Sequence, residues 1–198
     1  MTTREQCDKQ VATALQKVGL NVSSVYDLVN SKAAYAEAMP TLLKCLIEID
    51  EPVVKEGIVR ALTVKEARGI AEDALLGEFE KIQPQEPPNL QLLKWAIGNA
   101  LSVVATDKSF ERIVELLHDR QHGKSREMLA IALGNMKNPR AMDVLIELLN
   151  DDEVAGHALK ALGKLKVQKA RPQIERFLKH EKPWVRREAS QALIKIES

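Results

Sequence analysis

The residues that could do chemistry are few, and their spacing decides against most of it. His118 and His122 stand four apart, which on one helix face would offer two imidazoles to a metal ion. Gly123 follows at once, and no glutamate or third ligand stands at a matching interval. The segment His118-Asp119-Arg120-Gln121-His122-Gly123-Lys124 reads as a turn rather than a ligand helix. His180-Glu181 is a histidine–carboxylate pair, and it is solitary. Cys7 and Cys45 are far from zinc spacing and too few for a disulfide framework. No glycine-rich phosphate loop and no Ser/His/Asp arrangement stands in the sequence. These residues nominate no catalytic residue, no metal site and no cofactor. The expectation is a protein that is not an enzyme and works through its surface.

That surface is organised by Ala141–Leu165, AMDVLIELLNDDEVAGHALKALGKL. Val144, Leu145, Leu148 and Leu149 recur at helical spacing, as do Val154, Ala158, Ala161, Leu162 and Leu165. Asn150-Asp151-Asp152 separates the two sets, with Asp152 placed to cap the second helix. Gly163 costs helix stability and is expected to let a neighbouring helix approach closely. A hairpin of this size leaves an apolar stripe uncovered and needs a copy on each side.

The copies are present. An Ala-Leu step recurs at Ala61-Leu62, Ala100-Leu101, Ala132-Leu133, Ala161-Leu162 and Ala192-Leu193, at intervals of 39, 32, 29 and 31 residues. The first helices begin near Ala38, Ala71, Ser109, Ala141 and Ala170. Proline in the first turn, as in Ala38-Met39-Pro40 and Ala170-Arg171-Pro172, costs little because its missing N–H would have no helical partner there. The 39-residue interval contains Gln83-Pro84-Gln85-Glu86-Pro87-Pro88-Asn89, which cannot be helix interior and reads as a stiff connector, with Asn89 capping a helix from Leu90. Asp50-Glu51-Pro52 is the turn of the first repeat. Asn138-Pro139 and Lys182-Pro183 open later helices. The fold expected is all-α, an α-solenoid of about five antiparallel helix pairs over residues 34–198 as one continuous domain. Residues 1–33 break the pattern. A helix over 3–18, with Val11, Ala14, Leu15 and Val18 on one side and Gly19 ending it, precedes a capping box at Ser24 and Asp27. They are read as an N-terminal helical cap.

From Ala38 to Ser198 these units resemble HEAT repeats, specifically the short prokaryotic HEAT-like repeats of the PBS-lyase type. That family's second helix reads Val-Arg, then Ala, then Ala-Leu-Gly. Val185-Arg186, Ala189 and Ala192-Leu193 match it, as do Val154, Ala158 and Ala161-Leu162-Gly163. Ser125–Met136 keeps Ala132-Leu133-Gly134, with Ser125-Arg126 for Val-Arg. Thr63 and Ser102 replace the glycine in the first two units. The resemblance implies a scaffold that binds macromolecules. Di-iron hydroxylases built on such repeats use several His-Glu dyads, and this chain has only His180-Glu181.

Composition agrees. Apolar residues make 45% of the 198 and aromatics only 4%, so the core must be aliphatic, as helix-on-helix packing favours. No run approaches a membrane-spanning length, and MTTREQCDKQ lacks a signal-peptide core. A soluble, cytoplasmic, reduced protein is expected, with Cys45 a small core hydrophobe. The net charge of +1 conceals an asymmetry. Residues 1–90 hold 10 basic and 14 acidic side chains, and residues 91–198 hold 19 and 14. Lys160–Arg187 alone carries 10 basic residues against Glu175 and Glu181.

In stacks of this kind the second helices line the concave side. With Val154, Ala158, Ala161, Leu162 and Leu165 inward, rotation of 100° per residue puts Gly156 and Lys160 opposite, with His157 and Lys164 on the flank. Equivalent positions elsewhere are Glu56 and Arg60, Trp95 and Asn99, Glu127 and Ile131, and Arg187 and Gln191. Asn135 matches Lys164, and Glu188 matches His157. The partner-binding ladder expected is Arg60, Trp95, Asn99, Asn135, His157, Lys160, Lys164 and Arg187. Trp95 stands where no core residue is wanted, as an interface anchor would, or as a cover for the cap junction or the proline-rich loop would. Trp184, after Pro183, is expected to pack the last turn.

The leading functional reading is a monomeric, non-catalytic scaffold with a protein partner. The second is nucleic-acid binding through the basic repeats, as HEAT-like alkylpurine DNA glycosylases do, although no glycosylase signature is present. A bilin lyase is a third, with no cofactor motif to carry it.

Overall fold

The computed structural model describes residues 3–31 and 33–198. Among these, twelve α-helices and short 3-10 turns form the structure, with no strand. Two compact units divide the chain, Met1–Val104 and Ala105–Ser198. The first holds α1 (Arg4–Lys17), α2 (Tyr26–Val29), α3 (Met39–Glu48), α4 (Pro52–Ala61), α5 (Glu72–Lys81) and α6 (Pro88–Val104). The second holds α7 (Phe110–His118), α8 (Glu127–Leu133), α9 (Ala141–Glu147), α10 (Ala155–Lys164), α11 (Arg171–Glu175) and α12 (Pro183–Glu197). Each repeat is a helical hairpin: α3 with α4, α5 with α6, α7 with α8, α9 with α10, α11 with α12. Within each unit, successive second helices also lie side by side, α4 on α6 in one and α8, α10 and α12 in the other.

Local sequence sets the helix ends. Glu51 accepts the backbone N–H of Val54 at 2.8 Å, and Pro52 occupies the first turn of α4. The proline-rich connector does separate α5 from α6. Its backbone is tied by the Gln91 side-chain amide, which donates to the carbonyls of Gln83, Pro84 and Glu86. Helix α6 begins at Pro88, so Asn89 lies within its first turn and is not its cap. Before α10 the side chain that accepts is Asp151, from the Glu153 N–H at 3.2 Å, while Asp152 is exposed and makes no cap. In α1 the buried face is Cys7, Val11, Ala12 and Leu15; Val18 lies past the helix end and is exposed.

The first unit is filled by aliphatic side chains and closed at its start by α2. Gly57 of α4 lies under that short helix: a methyl built on it would stand 2.6 Å from Val25 Cγ1. Tyr26 Oη donates to the Val53 carbonyl at 3.1 Å. Two lysines are sunk in this core. Lys55 Nζ meets Glu78 at 2.6 Å, both nearly inaccessible, and Lys81 reaches the other Glu78 oxygen at 2.6 Å. Burial alone would raise the Glu78 carboxyl, but the two lysine hydrogen bonds outweigh it and hold it below the usual range. Lys94 donates to the Ile82 carbonyl and lies 4.7 Å from the centre of the Phe79 ring.

The Ala-Leu steps form the spine of both cores. Ala61, Leu62, Ala100, Leu101, Ala132, Leu133, Ala161, Leu162 and Ala192 are buried, and Leu193 of the last helix is half-buried. Each such leucine contributes on the order of 1.5–3 kcal/mol through removal from water. Glycines set the helix spacing in the second unit. A methyl on Gly134 would stand 2.7 Å from Ala161 Cβ, and one on Gly163 would stand 2.7 Å from Ala192 Cα. The glycine in the Ala-Leu-Gly signature is where the next helix touches backbone, as expected for Gly163. Arg126, the residue in place of the signature arginine, is fully buried. It donates to Asp151 and Glu153 at 2.7 Å each and to the carbonyls of Leu117 and Gly123. Burial works against its charge, but the two carboxylates prevail and strengthen its hold on the proton.

Candidate functional site

In the second unit α8, α10 and α12 present one shared face. Its members follow from the helical period: Glu127 and Ile131 on α8 with Asn135 just beyond it, His157, Lys160 and Lys164 on α10, and Trp184, Arg187, Glu188 and Gln191 on α12. Cross-helix contacts tie the stripes together. His157 Nε2 lies 3.9 Å from Glu127 Oε2, and the His157 and Trp184 rings are 5.6 Å apart at 57°. Lys164 Nζ reaches Asn135 Oδ1 at the other end. Lys164 and Asn135 are therefore neighbours at one end of the face, and His157 stands toward the other with Glu127 and Trp184. Lys160 and Arg187 are exposed on the same face.

Trp184 departs from expectation. It packs back on the preceding repeat, with its six-membered ring edge seated over Gly156. A methyl on Gly156 would lie 2.0 Å from Trp184 Cη2. Gly156 is correspondingly buried, whereas the helical wheel alone set it facing outward. The indole remains 37% exposed. The signal was present as a glycine opposite a tryptophan one repeat later, but pairing the two requires the α10–α12 register. Positions 28 residues apart (156 and 184) and 29 apart (163 and 192) lie level, so the two helices run nearly parallel.

Burial controls the titratable groups here. Burial, then the neighbouring Lys160 charge, lowers the His157 pKa, so its imidazole is neutral at pH 7; its Nδ1 is buried with no partner. Burial raises the Glu127 carboxyl, Glu153 adds to this, and Lys124 and Lys182 oppose it. The formal charges of the face are then those of Lys160, Lys164 and Arg187, set against Glu127 and Glu188.

The other three expected residues lie in the first unit. Arg60 is exposed, but its guanidinium donates twice to Glu56 Oε1 one turn back, at 2.7 and 3.0 Å. Trp95 is 43% exposed on α6, and Leu92, one turn earlier, is also exposed. Asn99 is half-buried. A hollow of 620 Å³ runs beside α1 and α3, lined by Gln10, Thr13, Lys44, Cys45 and Glu48 among others, where Lys44 and Glu48 face each other at 3.8 Å. Cys7 and Cys45 are buried thiols, and burial raises the Cys45 thiol.

The residues first inspected for chemistry take structural parts. His118 Nε2 lies 3.5 Å from Glu147, while His122 Nε2 lies 3.6 Å from Asp119, so the two imidazoles address different carboxylates. His180 accepts the Lys182 N–H at 3.2 Å and stacks on Phe177 at 5.8 Å. Among the described residues no group of three or more His, Cys, Asp or Glu is arranged to hold a metal ion. Among the described residues no helix is long and apolar enough to cross a membrane.

Solved structures share the architecture. An engineered protein from the Northeast Structural Genomics Consortium superposes with a TM-score of 0.50 at 18% identity, covering 95% of this chain and 96% of its own. A designed armadillo repeat protein in complex with the peptide (KR)4 gives a TM-score of 0.50 at 16% identity, covering 94% and 99%. At such identities the likeness concerns fold alone. No curated protein matches the chain. In sequence, the PBS lyase HEAT-like repeat matches residues 125–151, and HEAT repeats match residues 150–198. The match begins at Ser125 rather than at Ala38; the earlier units, with Thr63 and Ser102 for the signature glycine, lie outside it. The sequence likeness to HEAT repeats is therefore carried by residues 125–198.

Proposed function

We propose that the chain is a non-catalytic HEAT-type scaffold that binds a protein partner through the groove lined by its second helices, as a monomer in the cytoplasm, with residues 1–33 as the cap of its first repeat. Its contact residues are Arg60, Trp95 and Asn99 in the first unit and Asn135, His157, Lys160, Lys164 and Arg187, joined by Trp184, in the second. The observation that carries this reading is Trp184. An indole held by close packing over Gly156, with a third of its surface left to solvent, loses little side-chain freedom on binding and offers a large apolar contact. Trp95 in the first unit is likewise partly exposed. The designed armadillo protein that binds a peptide makes a polypeptide ligand the first class to test.

The test is affinity capture from the source cells with the intact chain and with Trp95→Ala and Trp184→Ala. Capture of a protein that is lost in either variant, with the fold retained by circular dichroism, is expected. Truncating an interface tryptophan anchor costs about 2 kcal/mol or more in binding. Capture unaffected by both variants would place the contact elsewhere.

Nucleic-acid binding is the second reading, favoured by the basic segment. Nine of the ten basic residues in Lys160–Arg187 are exposed, all but half-buried Arg186. Phosphate contacts are strongest at low salt, so an electrophoretic shift absent there removes this reading.

A further inference from the structure

We propose that the α8–α10–α12 face takes an extended, acidic polypeptide segment, with one carboxylate between Lys160 and Arg187, the next alternate carboxylate on Lys164, and an apolar side chain against Trp184. This rests on the protein-binding reading above and gives its partner a chemistry.

The first support is unneutralised charge. Among the described residues no carboxylate lies within ion-pair distance of Lys160 or Arg187, and Lys164 meets an amide oxygen instead. Several cations at the first helices of the same unit are paired, although Arg176 and Lys179 meet no carboxylate among the described residues. Arg140 meets Glu111, Lys169 meets Asp143, and Arg171 meets both Glu175 and Glu197. Lys160, Lys164 and Arg187 leave their charge open together on the shared face, which favours an anionic partner there.

The second support is spacing. Lys160 and Lys164 are one turn apart, about 6 Å along α10. Alternate side chains of an extended peptide repeat at roughly 6.6 Å and point to the same side. Arg187 stands on the neighbouring helix, nearly level with Lys160 by the 156–184 and 163–192 register. Trp184 lies toward the start of both stripes. A segment running along α10 would meet the indole first and the three cations after it.

The third support separates a peptide from a nucleic acid. Glu127 and Glu188 share the face with the three cations, and Glu127 is partly buried beside His157. A phosphate backbone charged at every residue would have to run past both carboxylates. A peptide with acids only at alternate positions can place neutral side chains against them.

The test uses the full chain and three fluorescein-labelled probes read by anisotropy: an octapeptide alternating Glu and Leu, one alternating Lys and Leu, and a single-stranded 20-nucleotide DNA. The Glu-Leu peptide is expected to bind in a salt-dependent manner, at least tenfold more weakly to Lys160→Glu/Lys164→Glu/Arg187→Glu. The Lys-Leu peptide is expected not to bind. In a Trp95→Phe background, the emission of Trp184 should shift on adding Glu-Leu peptide. Should the reversed-charge variant misfold by circular dichroism, the alanine triple variant replaces it with the same expectation. Glu-Leu binding that is absent, or equal in the triple variant and the parent, overturns the proposal, as does preference for Lys-Leu. An unshifted Trp184 emission overturns its role as the anchor. DNA binding abolished by the triple substitution without peptide binding reassigns the face to nucleic acid. Cellular capture lost in Trp184→Ala while the Glu-Leu peptide fails to bind overturns the acidic chemistry alone. Capture indifferent to Trp95→Ala and Trp184→Ala overturns the parent reading.

Discussion

Gly163 of α10 lies so close beneath Ala192 of α12 that a methyl built on the glycine would stand 2.7 Å from the alanine Cα. The obstacle is backbone, so it cannot swing aside. Gly163→Ala is expected to destabilise the protein by about 1–3 kcal/mol through overpacking, even though alanine is intrinsically the better helix former by about 1 kcal/mol. Gly77, in α5 with nothing within 4 Å of an added methyl, is the control. Gly77→Ala should stabilise by up to about 1 kcal/mol. Urea unfolding of the two variants checks the opposite signs.

Arg126 is the most deeply buried charge in the second unit, and its partners come from the next repeat. Arg126→Met keeps much of the apolar stem but leaves Asp151, only 12% exposed at its side chain, without its main partner. The expected loss is roughly 3–5 kcal/mol, as for breaking a buried pair. Arg126→Met/Asp151→Asn should recover part of it, because no stranded carboxylate remains; a double-mutant cycle in urea measures the recovery. Purely additive losses would show that the pair is not coupled.

Stability should fall on acidification in two stages. Burial and Lys160 lower His157, so below about pH 6.5 the unfolded chain takes up a proton that the folded chain refuses. Asp151 is pushed up by its burial, but the Arg126 hydrogen bond, the Glu153 N–H and the arginine charges hold it down on balance. Glu78 is likewise held down by Lys55 and Lys81. Their contribution is complete above about pH 4.3 and is lost as pH falls through their lowered folded values. Glu127, raised by burial, runs the other way: above about pH 4.5 the unfolded chain releases its proton first, which costs stability. His157→Gln should flatten the curve below about pH 6.5, Asp151→Asn should flatten it below about pH 4, and Glu127→Gln should raise it above about pH 4.5. Thermal unfolding across pH reads all three.

Gly156 holds Trp184 in place. A methyl at 2.0 Å from the indole edge displaces the ring, which, being a side chain, can move away. Gly156→Ala should therefore cost little more than about 1 kcal/mol, yet expose the indole. In a Trp95→Phe background a red-shifted emission is expected, and unchanged emission would mean that the ring is not seated there.

The sequence was most legible where packing repeats. Ala-Leu steps at a near-constant interval require helices that bury the same stripe against a neighbour, and nine of those ten side chains are buried. Gly163 announced a close approach because glycine in a helix is costly unless something needs the space. Exposure of Arg60, Lys160, Lys164 and Arg187 followed from the same 100° rotation. The rotation failed at Gly156, since a helical wheel describes one helix and the tryptophan that covers this glycine arrives from another. Arg60 belongs to the expected ladder by the same rotation, and Glu56 one turn away pairs with it. Which cations are paired, which lysines are sunk beside Glu78 and Phe79, and which indole is pinned depend on distances between residues roughly 10–30 apart. Periodicity along the chain determined the helices and their buried stripes, because burial of a stripe constrains residue type at every turn. Only the tertiary structure decided the charge and shape of the exposed face, because there many residue types are tolerated and the partner across the helix boundary sets what each one does.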